Sequence, residues 1–467
     1  MFGLDTSITI LLLLCLLAAV IFEFINGFHD TANAVATVIY TNSLKPWFAV
    51  VWSGIWNAIG VFAGGIAVAM GITNLLPNEV LLDTNIYHNV ALIAALLLTA
   101  IIWNLGTWYF GIPSSSSHTL IGSILGVGLA YSFIGTDPNA SYVNWGKASD
   151  IGLSLLLSPL LGFSLAILLM YIMRQSIKSK VIFREPATNA PPPFWIRLIL
   201  LLTCTGVSFS HGSNDGQKGV GLVMLILIAI VPARFTLDLS KNPSEVKGEL
   251  ATIHSILYKV DSTDLSKEEN FELIKANKYL TDFESKLSNQ ASFLDLSHES
   301  KFEIRKDLVM MGKSIKKLIE SKNVNLSANN KEKLKVSTQK VKEITEYAPD
   351  WVILMISLSL GLGTLVGWKR IVTTIGEKIG KQHLTYAQGA SAEIVAASTI
   401  GFSTWLGLPV STTHVLSSGI AGSMVASKGI KNLQTKTIKT IALAWLLTLP
   451  FSIIMSGLLF LLFRAIL

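Results

Sequence analysis

Two stretches of the chain set the same residue types in the same register, each in apolar surroundings. Residues 24–36 read FINGFHDTANAVA and residues 209–221 read FSHGSNDGQKGVG; an offset of 185 brings Phe24 onto Phe209, Gly27 onto Gly212 and Asp30 onto Asp215. A second pair follows. Residues 112–119 read IPSSSSHT and residues 408–415 read LPVSTTHV; an offset of 296 brings Pro113 onto Pro409, Ser115 onto Ser411 and His118 onto His414. The two offsets differ by 111 residues, about the length of a charged segment in the middle of the chain. One unit is therefore duplicated, and its second copy is interrupted.

These residues offer the capture of an anion together with a cation. An ionised aspartate inside a membrane costs several kcal/mol without a partner, which marks Asp30 and Asp215 as functional candidates. Their recurrence in both copies argues against a structural turn. Gly27, Gly212, Gly216 and Gly219 are expected to let the backbone leave its helix and present N–H and C=O groups to a ligand. The PSSSSHT and PVSTTHV segments read as tips of re-entrant hairpins, in which proline ends one arm and hydroxyls open the next. A helix start offers free N–H groups and partial positive charge, and hydroxyls add donors without a fixed counter-charge. His118 and His414 could donate to the anion, carry protons, or stay neutral and orient their neighbours. His29 and His211 are weaker candidates. Lys218 calls for an anionic partner, either Asp215 or the substrate. Glu393 stands alone in the span before the second hairpin and is a candidate for cation coupling. Glu23, not mirrored in the other copy, reads as structural.

The elements that position such residues must be membrane helices. Of 467 residues 51% are hydrophobic and only 14% charged, with mean hydropathy +0.54, against about 25% charged in an average soluble domain. Residues 234–350 hold 20 Lys/Arg and 19 Asp/Glu; the other 350 residues hold 17 and 11. The fold class is thus an all-α polytopic membrane protein of about 10–12 segments with a water-facing insert. Apolar runs lie near 8–28, 48–71, 89–110, 116–134, 151–173, 196–212, 217–233, 351–367, 386–406, 412–427 and 440–463. The first run has no basic n-region and no small-residue cleavage site, so it is expected to be a span rather than a cleaved leader. Short loops at 174–197, 368–381 and 428–439 are basic and are assigned to the cytoplasm, whereas 72–88 and 135–150, with Glu79, Asp83, Asp137 and Asp150, are acidic. Corresponding loops of the two copies thus carry opposite bias, the mark of an inverted-topology repeat.

Residues 1–185 form the first repeat, 186–195 a Pro-rich linker, and 196–233 with 350–467 the second repeat; 234–349 are the insert. The insert is expected to be a small helical bundle, with Ile304, Leu308, Met311, Ile315, Leu318 and Ile319 at helical spacing and a capping box at Ser266 and Glu269. The net charge of +7 does not point to nucleic acid, because its excess sits in short loops. Cys15 and Cys204 lie in apolar runs, which argues against a disulfide framework or a cysteine metal site. No zinc spacing, Walker A loop or nucleophile–base pair outside the repeat is found, so neither an enzyme nor ATP-driven transport is expected.

The motifs resemble those of the Pit family of inorganic phosphate transporters, over essentially the whole membrane part. NGFHDTANA stands where the family has its first signature, HGSNDGQKG where it has the second, and GLPVSTTH matches its hairpin tip. IIWNLGTWYFG and STTHVLSSG are similar to the bacterial low-affinity subgroup. The resemblance implies symport of phosphate with a cation by alternating access, in the bacterial inner membrane, with a homodimer as an ordinary state for the family. Carried over, the substrate residues are Asp30, Asn33, Ser115, Ser116, Ser117, Thr119, Asn214, Asp215, Ser411, Thr412 and Thr413, and the family's acid before the second hairpin is Glu393.

Two departures stand out. Lys218 occupies the place of the second signature's later Asn, and Asn57 stands where many members have an acid in the second span. An ammonium at such a position could replace a bound cation, so coupling to H+ rather than sodium is expected. The resemblance further implies that phosphate enters as a neutral complex with Mg2+ or another divalent metal, as cargo and not as a resident cofactor; no resident metal site is expected. Asp30, Asp215, Lys218, His118, His414 and Glu393 are the coupling candidates. A sulfate permease of the same fold and an uncoupled anion channel remain the alternatives. A protonated phosphate can donate to Asp30 or Asp215 whereas sulfate cannot, which favours phosphate.

Overall fold

The architecture was obtained as a computed structural model. It describes all residues except 1, 31, 82–84, 136–141, 188–189, 264, 288–291 and 322, and leaves out the side chains of 32, 33, 78, 79 and 298. Asp83, Asp137 and the side chain of Asn33 therefore lie outside the described residues. The chain divides into two compact units, residues 3–226 with 348–467, and residues 227–347. Among the described residues there is no strand, only a bridge between Gly380 and Leu433.

The first unit is built from α1 (Thr6–Asp30), α2 (Ala32–Tyr40), α3 (Pro46–Ala63), α4 (Ile86–Tyr109), α5 (Ser116–Ser132), α6 (Trp145–Ser176), α7 (Phe194–His211) and α8 (Gln217–Ile230). It continues after the insert with helices that we number α13 (Asp350–Thr364), α14 (Tyr386–Trp405), α15 (Thr412–Lys428) and α16 (Thr435–Ile466). Among the described residues, six helical stretches are long and apolar enough to cross a membrane, or seven if Asp350–Thr364 and Lys369–Lys378, bent by 56°, count as one. That is fewer than the 10–12 expected. One reason is that α7 and α8 are continuous through a π-helical turn at Gly212–Gly216, so two expected runs form one stretch of 37 residues. The other is that α5, α14 and α15 are rich in Gly, Ala, Ser and Thr and bury most of their length inside the bundle.

The two copies pack on each other reciprocally, and glycines are what permits it. A Cβ on Gly27 of α1 would lie 2.4 Å from the Leu360 carbonyl of α13, and one on Gly363 would lie 2.1 Å from the Phe24 carbonyl. In the other copy a Cβ on Gly212 would lie 2.0 Å from the Asn57 carbonyl of α3, and one on Gly60 2.2 Å from the Phe209 carbonyl. The hairpins repeat the exchange: Gly126 of α5 meets the Ile453 carbonyl of α16, and Gly422 of α15 meets the Phe163 carbonyl of α6. Gly27 thus lies inside an α-helix, contrary to the sequence expectation, whereas Gly212 opens the π turn; the glycines of these contacts share another role. They remove the side chain where two backbones touch, the usual source of close helix contact in a membrane. Gly216 and Gly219 instead leave room for side chains, those of Val61 and Glu23.

At both hairpins the first arm ends at a glycine rather than at the proline. Gly111 (φ +66°) and Gly407 (φ +68°) take the left-handed conformation, and the N–H groups of Ile112 and Leu408 reach back to the Thr107 and Ser403 carbonyls at 2.9 Å each. The Pro113 carbonyl accepts from Trp445 Nε1 at 3.1 Å and the Pro409 carbonyl from Ser154 Oγ at 3.1 Å, so each tip is held by the other copy.

The second unit is a four-helix bundle, α9 (Pro243–Leu257), α10 (Lys267–Leu287), α11 (His298–Glu320) and α12 (Ala328–Lys342). Ile304, Leu308, Met311, Ile315 and Leu318 are buried against Leu250, Leu280, Phe283 and Phe293, while Ile319 is only partly buried. The two ends of the unit are joined: Asp238 N–H donates to the Ile344 carbonyl at 2.7 Å, and buried Arg305 donates to the carbonyls of Thr236 (3.2 Å) and Thr345 (3.0 Å). The capping box forms, with Ser266 N–H donating to Glu269 at 2.8 Å and Glu269 N–H to Ser266 Oγ at 3.2 Å.

Two predictions follow from this packing. Gly212→Ala should lower the thermal midpoint of the detergent-purified protein by an amount equivalent to about 1–3 kcal/mol or more of overpacking. Gly152→Ala, where a Cβ meets nothing within 4 Å, should not lower it. Hydrogen bonds from Ser321 and Ser266 hold the Glu269 carboxyl at about 2, below its ordinary value of 4.5. Its stabilising effect is therefore present above pH 4.5 and is lost as the pH falls through about 2. Glu269→Gln should reduce the stability of the bundle at neutral pH and leave it unchanged near pH 2, as read by the melting of its helical circular dichroism.

Candidate functional site

Asp30 is the last described residue of α1, and Asp215 sits in the π turn. Both are buried. One oxygen of each carboxylate and one nitrogen of His211 lie within 4.8 Å of one another, although 185 residues separate the two acids. This is a donor set suited to a cation, which Cys and His spacing along the sequence did not reveal.

One helix, α15, brings a hydroxyl to each acid. Thr413 Oγ1 of α15 donates to Asp30 Oδ1 at 2.8 Å, and Thr412 Oγ1 to Asp215 Oδ2 at 3.3 Å. Lys218, the second residue of α8, donates to Asp215 Oδ1 at 2.7 Å, to Ser117 Oγ at 2.5 Å and to the Val410 carbonyl at 2.7 Å. Its ammonium thus ties the π turn to both hairpin tips. Asn214 fixes the second tip, donating to Thr404 Oγ1 (2.9 Å) and the Leu408 carbonyl (3.2 Å) and accepting from Val410 N–H (3.1 Å).

Two histidines rated as weak candidates prove to be neighbours of the acids. His29 Nδ1 lies 2.8 Å from Asp30 Oδ1, and its Nε2 3.2 Å from Thr107 Oγ1. His211 Nδ1 pairs with Asn57 Oδ1 at 2.9 Å, and its Nε2 stands 3.5 Å from Asp215 Oδ2 with no hydrogen-bond partner. An Asn oxygen accepts, so His211 Nδ1 carries a proton there. A neutral imidazole then turns the lone pair of Nε2 toward the carboxylates. Lone pairs facing one another at this distance call for a positive charge between them, a metal ion or a proton on Nε2. The HxxxD spacing at His211 and Asp215, one helical turn, was the sequence signal for this contact.

Other expected residues are placed elsewhere. Ser115 and Ser411 cap their helices, each accepting from the N–H of His118 or His414 at 3.2 Å. Thr119 is bonded back to the Ser115 carbonyl at 2.9 Å, and Ser116 Oγ is buried without a partner. His118 and His414 face each other at 4.6 Å between ring centroids, with His414 stacked on Trp445 at 3.9 Å. Neither imidazole is hydrogen-bonded to Asp30 or Asp215. Glu393 is engaged by the hydroxyls of Thr37 and Thr203, one at each carboxylate oxygen, and not by a hairpin tip.

A model of the phosphate transporter family matches residues 26–456. The low-affinity inorganic phosphate transporter of Buchnera aphidicola (subspecies Acyrthosiphon pisum) is 41% identical over 479 residues, covering 98% of this chain and 97% of the relative. The low-affinity inorganic phosphate transporter PitA of Escherichia coli K12 is 40% identical over 487 residues, covering 97% of each chain. Among solved structures, one titled as the sodium-dependent phosphate transporter shares the fold, with a TM-score of 0.55 at 18% identity, over 98% of this chain and 100% of the other. With a family match across the membrane part and relatives aligned from end to end, the chain belongs to the phosphate transporter family.

Proposed function

We propose that this chain is a low-affinity inorganic phosphate transporter of the bacterial inner membrane, a secondary symporter working by alternating access. The observation that carries the reading is the meeting of Asp30, Asp215, Lys218, Thr412, Thr413 and Ser117 from both copies at one buried point. A phosphate there receives hydrogen bonds from hydroxyls and Lys218 and, while protonated, donates one to a carboxylate. Asn33, Asn214 and the remaining tip hydroxyls, Ser115, Ser116, Thr119 and Ser411, complete or shape the substrate site.

Charge balance favours entry as a neutral metal–phosphate complex. Two carboxylates facing a phosphate dianion need compensating positive charge. Asp30, His211 and Asp215 offer three ligand atoms for Mg2+ or another divalent cation, held as cargo. Lys218, clasped by three oxygens, takes the place that a bound sodium ion would fill, so the driving cation is H+. Of the coupling candidates, Asp30, Asp215 and Lys218 line the same buried point, whereas Glu393 is engaged by Thr37 and Thr203 and His414 is stacked on Trp445 beside His118. The reciprocal packing supports an inverted-topology repeat whose re-entrant hairpins close on the site from opposite sides. The repeats are 1–185 and 196–233 with 350–467, joined by the linker 186–195 and carrying the insert 234–349. A homodimer is the assembly that we propose.

The test is labelled phosphate uptake into proteoliposomes under an imposed proton gradient, with and without Mg2+ and with sodium substituted. Uptake that needs the gradient and Mg2+ and ignores sodium is expected. Sodium-driven uptake would overturn the Lys218 argument, and sulfate uptake in place of phosphate the substrate. Asp30→Asn and Asp215→Asn should each cut uptake about ten- to hundredfold, for ~1.5–3 kcal/mol lost with one charge-assisted hydrogen bond. Lys218→Asn should abolish proton-driven uptake or confer sodium dependence, as read by the same assay.

A further inference from the structure

One buried acid of the membrane unit is left unused by this reading. Glu23 lies on α1 two turns before Asp30 and has no exposed surface. Its Oε1 accepts from Asn26 Nδ2 at 3.1 Å. Its Oε2 has no hydrogen-bond partner and packs on the backbone of Gly219, where a Cβ would stand 2.5 Å away. Gly219 follows Lys218, yet Lys218 spends its three donors on Ser117, Asp215 and Val410 and none on Glu23. The amide oxygen Oδ1 of Asn26 is also buried without a partner, and so are both amide atoms of Asn104, one turn before the Thr107 that meets His29.

A fold does not require an acid at this place. The corresponding position of the second copy is Ser208, whose hydroxyl is satisfied by the Cys204 carbonyl and Ser53 Oγ at 2.8 Å each. A permanently ionised carboxylate with one bare oxygen is costly in such surroundings, whereas a protonated one needs only an acceptor for its O–H. A bare acceptor stands beside it on Asn26, whose amide already donates to Oε1. The charged and titratable groups around Glu23 are Asp30 and His29 on its own helix and Asp215 and Lys218 across from it. The facing stretches of α13 (352–364) and α4 (89–107) carry none.

Resting on the proposed phosphate symport, we infer that Glu23 carries the coupled proton, taken up on Oε2 from water on one side of the membrane and released to water on the other. Asp30 and Asp215 then keep the substrate, and Glu23 converts the pH gradient into accumulation.

The test compares two readouts in proteoliposomes of the full chain, phosphate counterflow at equal pH on both sides and accumulation against an imposed pH gradient. Wild-type counterflow checks the proposed function by itself; its absence would reject that reading and not the role of Glu23. Glu23→Gln, the neutral isostere, is expected to keep counterflow within about twofold and to lose at least tenfold in gradient-driven accumulation. Glu23→Asp is expected to retain gradient dependence with a shifted pH profile. Undiminished accumulation in Glu23→Gln would overturn the inference. So would equal loss of counterflow and accumulation, which would make Glu23 a structural or substrate-binding residue.

Discussion

Three oxygens around one buried ammonium organise the membrane unit. Lys218 takes Asp215 Oδ1 from the π turn, Ser117 Oγ from the first hairpin and the Val410 carbonyl from the second. A lysine can be kept charged away from water only if each N–H finds an acceptor and a negative charge is near. Here both conditions are met by groups of three separate elements. Withdrawal of either tip would leave one N–H bare and raise the cost of burying the charge. The arrangement thus links the electrostatics of the site to the position of the hairpins, and any ligand that competes for Asp215 acts on both.

Backbone contact as well as side chains holds the hairpins at that point. Glycines at 27, 60, 212 and 363 set α1 on α13 and α7 on α3 with their backbones in contact, and glycines at 126 and 422 do the same for α5 on α16 and α15 on α6. In lipid, burial of apolar side chains gives little drive for helices to associate, so close packing and internal hydrogen bonds carry the assembly. The Trp445–Pro113 and Ser154–Pro409 bonds add one such hydrogen bond at each tip.

Much of this was legible in the amino-acid types. The hairpin helices starting at Ser116 and Thr412, the buried insert face from Ile304 to Leu318 and the Ser266–Glu269 cap all follow from local pattern. The convergence of Asp30 with Asp215 was implied by their recurrence, but not the part of His211, whose contact depends on the π turn and on Asn57 of another helix. The glycines were misread for the same reason. A glycine that admits a neighbouring backbone and one that breaks its own helix look alike along a sequence; only the register of the partner helix distinguishes them. The diversion of Thr119 and Ser115 into their own helix starts likewise needs the tip conformation to be known.

The reciprocal packing also constrains how the protein is made. Gly27 of the first helix finds its partner backbone at Leu360 and Gly363, and the first hairpin rests on the last helix, Thr435–Ile466. These partners leave the ribosome only after the whole of residues 227–347 has been synthesised and has been able to fold as its own compact unit. The first half must therefore wait in the bilayer with polar groups such as Asp30 and Ser117 unmet by their final partners. Its burial is completed only once Thr435–Ile466 has been made, so that a chain cut before Thr435 exposes what the longer chain hides.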